Sequence, residues 1–145
     1  MISYIKDIKI GDEIKGSPKL VTEERVYAFS GGFPKSETWP NKNLHTNEEF
    51  ARDCGLADRA ASGAMAEAYL AELMIDTFGE IWLQTGKLRL KFIRIVVPGD
   101  TITASAKLIS KKSGGSTPVI DWDVWCENQR GEKVVIGTAS GIAEL

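Results

Sequence analysis

His45 is the only histidine in the chain, and its chemistry is the easiest to anticipate. An imidazole titrates near pH ~6.5, so around neutrality it can accept a proton from water and later return it. The two cysteines, Cys54 and Cys126, are far apart and have no zinc-ligand spacing, so no metal site is expected. His45 therefore indicates general acid–base chemistry, with a purely structural loop histidine as the alternative.

A second candidate lies at the start of the longest predicted helix, where Ser62 is a favourable N-cap. Gly63 and Ala64 follow in the first turn, whose backbone N–H groups have no intrahelical partners and lie at the positive end of the helix dipole. Such amides can hold a carbonyl oxygen that gains negative charge during a reaction. The alternative is that Gly63 only allows close packing.

The helix that carries these amides is predicted between Ala60 and Phe78 and ends at Gly79. Its polar residues are few, so we expect it to be largely buried. Before it, a short helix after Thr22 leads to an irregular loop over residues 31–46, which contains Trp39 and His45. A second short helix, capped by Thr46 or Asn47, follows that loop.

After Gly79 the hydrophobic period changes from the helical one to two, which indicates strands. The alternating segments cover residues 88–93, 101–109, 119–126 and 133–144, with short turns between them. The pattern predicts an α+β fold in which a curved antiparallel sheet wraps around a long central helix. Because an open sheet has exposed edges, we expect a homodimer at least.

Length and charge limit the remaining possibilities. The 145 residues suit one compact domain, 1–145, and a net charge of -2 gives no general affinity for nucleic acid. No apolar run could span a membrane, and no targeting segment is visible. Both cysteines are expected to be reduced core thiols, which favours a cytoplasmic protein.

Three local patterns resemble the MaoC-like dehydratases, a hot-dog family that includes the (R)-specific enoyl-CoA hydratases. They are SGGF at 30–33 followed by LHTNEEFA at 44–51, ASGAM at 61–65, and Leu88, Phe92 and PGDT at 98–101. The resemblance runs in the same order over nearly the whole chain. It implies a hot-dog domain that binds an acyl thioester, acyl-CoA or acyl-carrier protein, near His45 in a pocket at a dimer interface.

The chain departs from the family pattern at the active site. The family has an aspartate five residues before the histidine, and the two together activate a water. Here Gly32 or Pro40 takes that position, depending on the alignment, because about eight extra residues precede His45. Glu37, the nearest carboxylate on the N-terminal side, is the candidate replacement.

The resemblance also supplies candidate substrate contacts. Asn41 and Asn43 are candidates to orient a water or the substrate carbonyl, and Arg94 to contact a CoA phosphate. Ser62, Gly63 and Ala64 are the candidate carbonyl site. No cofactor is implied, because the glycine-rich segments match no nucleotide-binding fingerprint.

The function that the resemblance implies is a lyase, an enoyl-CoA hydratase or 3-hydroxyacyl-CoA dehydratase with His45 and Glu37 as catalytic residues. Two alternatives stay open. Hot-dog thioesterases often carry a catalytic carboxylate on the central helix, where Glu67 and Glu72 lie. The absent aspartate instead favours a non-catalytic subunit that binds acyl thioesters.

Overall fold

The computed structural model describes residues 4–114 and 117–143. In that part, five helices and six strands follow one another along the chain. The helices are α1 (Tyr4–Asp7), α2 (Glu23–Ser30), α3 (Glu48–Asp53), α4 (Gly63–Phe78) and α5 (Trp82–Thr85). The strands are β1 (Glu13–Lys15), β2 (Lys19–Leu20), β3 (Lys87–Phe92), β4 (Thr101–Gly114), β5 (Thr117–Glu127) and β6 (Lys133–Ile142).

The strands form one curved, unclosed antiparallel sheet around α4, so the expected α+β hot-dog arrangement is confirmed. The strand order is β1-β4-β5-β6-β3, and the short β2 also pairs with β4. The three long strands β4, β5 and β6 are consecutive in sequence and adjacent in space. Tight turns are therefore enough to connect them.

Helix α4 packs its apolar residues onto the inner face of this sheet, as the sequence indicates. Leu70 and Met74 are fully buried, and Ile120, Trp122 and Val124 of β5 are buried in the same core. The helix is less enclosed than expected, because Ala64, Glu67, Glu72 and Asp76 form an exposed stripe along one side. The carboxylates of α4 thus stay in water while the opposite face makes the core.

Cys54, which was expected in the core, lies outside it, and so does the ring of Trp125. Trp125 faces the outer side of the sheet, where its ring lies 4.7 Å from Lys133 Nζ. Because alternate residues of a strand face opposite sides, Trp122 and Val124 point inward while Trp125 points outward. Cys54 is exposed directly after α3, so only Cys126 is a core thiol.

The two short helices that flank the irregular loop have the predicted caps. The Thr22 hydroxyl accepts a hydrogen bond from Arg25 N at the start of α2. The Asn47 side chain accepts one from Phe50 N at the start of α3, which selects Asn47 over Thr46 as the cap. No helix in the described residues is long and apolar enough to cross a membrane.

A buried carboxylate ties the turn before β4 to the turn after β5. Asp100 is 5% exposed, and its carboxylate accepts hydrogen bonds from Val97 N at 3.1 Å and Gln129 Nε2 at 2.8 Å. Gln129 Oε1 in turn accepts one from Thr101 N at 3.0 Å. Loss of this carboxylate removes both hydrogen bonds and leaves the part-buried Val97 N–H without its partner.

We therefore expect Asp100→Ala to lower the free energy of unfolding by about 1–3 kcal/mol, since a donor that loses a charged partner away from water costs about that much. Urea denaturation followed by circular dichroism measures this change. Asp123→Ala, which removes an exposed carboxylate from the outer sheet face, is the matched control. Equal free energies of unfolding for the two variants would contradict the conclusion that Asp100 stabilises the contact between the two turns.

The two thiols should differ sharply in reactivity. Burial raises the pKa of Cys126 to about 12, and its Sγ lies 3.8 Å from the Ala66 carbonyl oxygen. At pH 8 Cys126 is therefore a neutral, enclosed thiol, whereas Cys54 is open to solvent. We expect iodoacetamide to label one thiol per native chain and two after denaturation, counted by mass spectrometry. Cys54→Ser should remove the native label, and rapid labelling of Cys126 would refute this assignment.

Candidate functional site

A cavity of about 300 Å³ lies beside the first two turns of α4. Its wall begins at residues 60–63, continues along Met65, Ala66 and Tyr69, and is closed by apolar residues from the sheet side. These are Val21, Phe92, Ile95, Val96, Ile102 and Val135. Ser62 and Arg94 also line the cavity, so it is an apolar space with a few polar groups near the helix start.

Of the two amides that the sequence suggested at the helix start, one is used by the N-cap. The Ser62 hydroxyl accepts a hydrogen bond from Ala64 N at 3.1 Å, so the Ala64 amide is used by the cap. The Gly63 amide has no hydrogen-bond partner among the described residues. Of the two amides expected from the sequence, the geometry therefore leaves Gly63 N–H as the donor available to a ligand.

Gly63 is required by the close approach of Phe92. A Cβ atom on residue 63 would lie 2.8 Å from Phe92 Cε1, closer than real contacts allow. The bare glycine lets the ring lie against the helix start. The packing explanation and the donor explanation for Gly63 thus both apply.

The His45 ring is held by a hydrogen bond to the segment just before α4. Its Nδ1 lies 2.5 Å from the Ala60 carbonyl oxygen, and Ala60 is the residue at which the cavity wall begins. Because a carbonyl oxygen can only accept, Nδ1 must carry the proton and the neutral ring keeps its lone pair on Nε2. The structure thus presents a half-buried imidazole whose basic nitrogen is Nε2.

Asn43 holds the loop in place rather than facing a ligand. Its Oδ1 accepts a hydrogen bond from His45 N at 2.8 Å, and its Nδ2 donates to Ser30 O at 2.8 Å. The Thr46 hydroxyl donates to Asn41 O at 2.6 Å, which closes the turn from the other side. Both polar ends of the Asn43 side chain are occupied, so its sequence-based role in substrate binding gains no support.

The extra residues before His45 form a closed loop. Asn41 N donates to Gly31 O at 2.7 Å across its neck, and the Trp39 ring packs edge-on against Tyr27 at 6.1 Å. Trp39 is not part of the cavity wall. Gly32 has φ +84, and a side chain there would overlap the Asn41 carboxamide. The carboxamide of Asn41 therefore occupies the space in which an aspartate at position 32 would begin.

No carboxylate of the described residues makes a hydrogen bond or an ion pair with His45. Glu37 is exposed in the inserted loop and has no such contact either. The loop is held at its neck and by Trp39, which leaves residue 37 on its outer side. The sequence-based pairing of Glu37 with His45 is therefore not formed in this structure.

A charged cluster that sequence inspection missed lies next to the loop. The buried Arg59 side chain pairs with Glu23, and Tyr27 Oη donates to Glu23 at 2.8 Å and lies 3.5 Å from Thr46 O. The hydrogen bond from Arg59 is the main cause that lowers the pKa of Glu23, and burial is the main cause that raises that of Tyr27. The cluster joins α2 to the segment before α4. Glu23 and Arg59 lie 36 positions apart in the sequence, so no local sequence pattern indicates this cluster.

Arg94 lines the cavity, but its guanidinium also forms an ion pair. Its guanidinium is 3.3 Å from a carboxylate oxygen of Glu132 in the turn after β5. Arg89 and Lys91 face the other side of the sheet, in an open groove of about 640 Å³. That groove is larger but is lined by charged side chains on an open surface, so the enclosed apolar cavity is the better ligand site.

The carboxylates of α4 lie outside the main cavity wall. Glu72 pairs with Lys19 at 2.8 Å, and Glu67 is exposed to solvent. Neither one lines the cavity at the helix start. Among the described residues, no group of three or more histidine, cysteine or carboxylate side chains is placed to hold a metal ion.

Comparison with solved structures shows the same fold over nearly the whole chain. A monoamine oxidase regulatory protein from Archaeoglobus fulgidus is 26% identical, with a TM-score of 0.72 over 97% of this chain and 93% of that one. A MaoC-like dehydratase from Rhodospirillum rubrum is 23% identical, with a TM-score of 0.77 over 97% and 95% of the two chains. An (R)-hydratase from A. caviae is 17% identical, with a TM-score of 0.74 over 96% and 99%.

No curated protein matches the sequence significantly. The family model described as MaoC like domain matches residues 41–124, more than half of the chain. That segment contains His45, the start of α4 and most of the sheet. With this match and this arrangement of helix and strands, the chain belongs to the MaoC-like domain family.

Proposed function

We propose that this protein is a hydratase or dehydratase that interconverts 2-enoyl and 3-hydroxyacyl thioesters of CoA or of an acyl-carrier protein. One observation carries the proposal: Ala60 accepts the Nδ1 proton of His45 at the edge of an apolar cavity. His45 itself does not line the cavity, and Ala60 is the residue that connects its imidazole to the cavity wall. Family membership and the fold shared with an (R)-hydratase and a dehydratase support it.

The thioester carbonyl is proposed to accept a hydrogen bond from Gly63 N–H. The first amide of a helix lies at the positive end of its dipole, where it stabilises an oxygen that gains negative charge. The acyl chain then extends along Met65 and Ala66 in the cavity. Arg94 is proposed to contact a phosphate at the cavity mouth in competition with Glu132, and no cofactor takes part.

In the hydration direction, His45 Nε2 removes a proton from water while the water oxygen bonds to the β-carbon of the enoyl group. The double-bond electrons move toward the carbonyl, and the enolate oxygen is held by Gly63 N–H. The charged imidazole then returns its proton to the α-carbon, which completes the addition of one water. Dehydration follows the same steps in reverse.

This sequence of steps uses one imidazole as base and then as acid. One group is proposed for both proton transfers because no carboxylate of the described residues contacts His45. Asn43 acts as a positioning residue, since its amide fixes the backbone of His45. Glu37 has no part in these steps.

The absence of a carboxylate beside His45 among the described residues also favours a second candidate, a non-catalytic subunit that binds acyl thioesters. Here Gly63 and the cavity would hold the ligand without turnover. A thioesterase is less favoured, because Glu72 is paired with Lys19 and lies outside the cavity wall.

For the first candidate, we expect His45→Ala to lower hydration of crotonyl-CoA by about 10²- to 10⁴-fold, the usual contribution of a general base. The loss of ultraviolet absorbance of the enoyl thioester measures the rate. Glu37→Gln, in the same loop, is the matched control and should retain activity. Abolished turnover in Glu37→Gln would overturn the single-imidazole steps, and undiminished turnover in His45→Ala would overturn the assignment of His45 as the base.

Binding of crotonyl-CoA without hydration or thiol release by the native chain would select the non-catalytic subunit.

A homodimer is also proposed, because β3 pairs with β6 on one side and has no partner on the other among the described residues. Phe92, Ile93 and Ile95 are about half exposed next to this edge, and Phe92 and Ile95 also line the cavity. A second copy at this edge would cover apolar surface and enclose the mouth of the cavity.

We expect sedimentation equilibrium to give twice the mass of the chain. Ile93→Glu, which places a charge at the exposed β3 edge, should shift the equilibrium to monomer. Ile10→Glu changes an isoleucine near β1 that is more exposed (65% against 48% for Ile93) and should leave the dimer intact. A monomeric native chain would refute the proposed dimer.

A further inference from the structure

Tyr69 closes the far end of the cavity beside α4. It lies two turns after Gly63, so the cavity follows the helix for about 9 Å before it reaches this ring. Tyr69 also lines a gap of about 30 Å³ on its other side, together with Gly16, Lys19 and Leu73. A side chain that bounds both spaces separates them.

The Tyr69 ring is held from the sheet side. Lys19 Nζ lies 5.8 Å from the ring centroid, within the range of a cation–π contact. The same ammonium is 2.8 Å from Glu72 Oε2, one turn further along α4. Pairing of β2 with β4 places Lys19 opposite Ile102, which itself lines the cavity. We call Tyr69, Lys19 and Glu72 the Tyr69 partition.

Space that could hold a longer apolar chain lies beyond the partition. The gap of about 30 Å³ shares Gly16, Ser17, Leu73 and Asp76 with a cleft of about 550 Å³. Ile8 and Ile14 add apolar side chains to that cleft. The partition therefore lies between the cavity and a larger, more open cleft along the same helix, which Lys15 and Asp76 also line.

We propose that the Tyr69 partition sets the chain-length limit of the ligand and restricts this protein to short acyl thioesters. The inference rests on the proposed function. A cavity of about 300 Å³ is at the lower end of the range of small-molecule sites, about 300–1,000 Å³, and suits a short chain. Burial also raises the pKa of Tyr69, so the partition presents an uncharged phenol to the acyl chain.

The test measures dissociation constants by calorimetry for saturated acyl-CoAs from butyryl to dodecanoyl. Saturated thioesters cannot be hydrated, so the result depends on binding alone. For the native chain, we expect affinity to fall once the acyl group exceeds the cavity. In Tyr69→Ala, dodecanoyl-CoA should gain on butyryl-CoA by up to about fourfold for each methylene that enters the cleft, which corresponds to about 0.8 kcal/mol.

Tyr69→Phe keeps the ring and is the matched control, so it should keep the native chain-length limit. Tyr69→Leu and Lys19→Met are milder changes that should move the limit in the same direction as Tyr69→Ala, by less. Thermal unfolding of each variant shows whether it folds. If Tyr69→Ala does not fold, Tyr69→Leu and Lys19→Met test whether the partition sets the chain-length limit.

The possible outcomes separate the two proposals. Longer chains that bind to the alanine and leucine variants but not to Tyr69→Phe would support the partition. If the native chain binds acyl-CoA and every folded variant keeps its limit, the partition is overturned while the proposed function stands. If the native chain binds no acyl-CoA of any length, the proposed function fails and the partition fails with it.

Discussion

The fold depends on the burial of one face of α4. The apolar residues along that face cannot remain in water, and no single neighbouring helix is long enough to cover them. The sheet covers them instead, with β4, β5 and β6 turning their alternate buried side chains toward the helix. The intrinsic right-handed twist of the strands lets the sheet curve around the helix, where a flat sheet would leave part of the helix face exposed.

The same constraint creates the candidate site. A sheet that wraps the middle of α4 leaves the first turn of the helix at its margin, where backbone amides remain to be paired. Ser62 satisfies the Ala64 amide, and the Gly63 amide has no hydrogen-bond partner among the described residues. Close packing of Phe92 on Gly63 keeps this margin compact, so the remaining space is a cavity rather than an open surface.

Hydrogen bonds between the inserted loop and the segment before α4 decide where the imidazole lies. Ala60 N donates to Leu44 O at 3.3 Å, and Ala61 N donates to Val96 O at 2.7 Å. Together with the His45–Ala60 contact, these bonds connect the loop, the helix start and the segment after β3. The Glu23–Tyr27–Arg59 cluster then holds α2 against the same place. The orientation of His45 therefore comes from the Ala60 carbonyl group and the Asn43 carboxamide, and no carboxylate of the described residues contacts the ring.

Periodicity in the sequence was enough to predict α4 with its Ser62 cap and the four main strands, because these depend on local burial patterns. His45 and Gly63 could be identified as candidates from residue type and family resemblance. Tertiary structure alone decided that Glu37 lies away from His45, that Ala64 N–H is used by its own cap, and that Glu72 pairs with Lys19. It also placed Cys54 and Trp125 outside the core. Those outcomes depend on contacts between residues far apart in the chain and on how the loop closes at its neck, which no local pattern records.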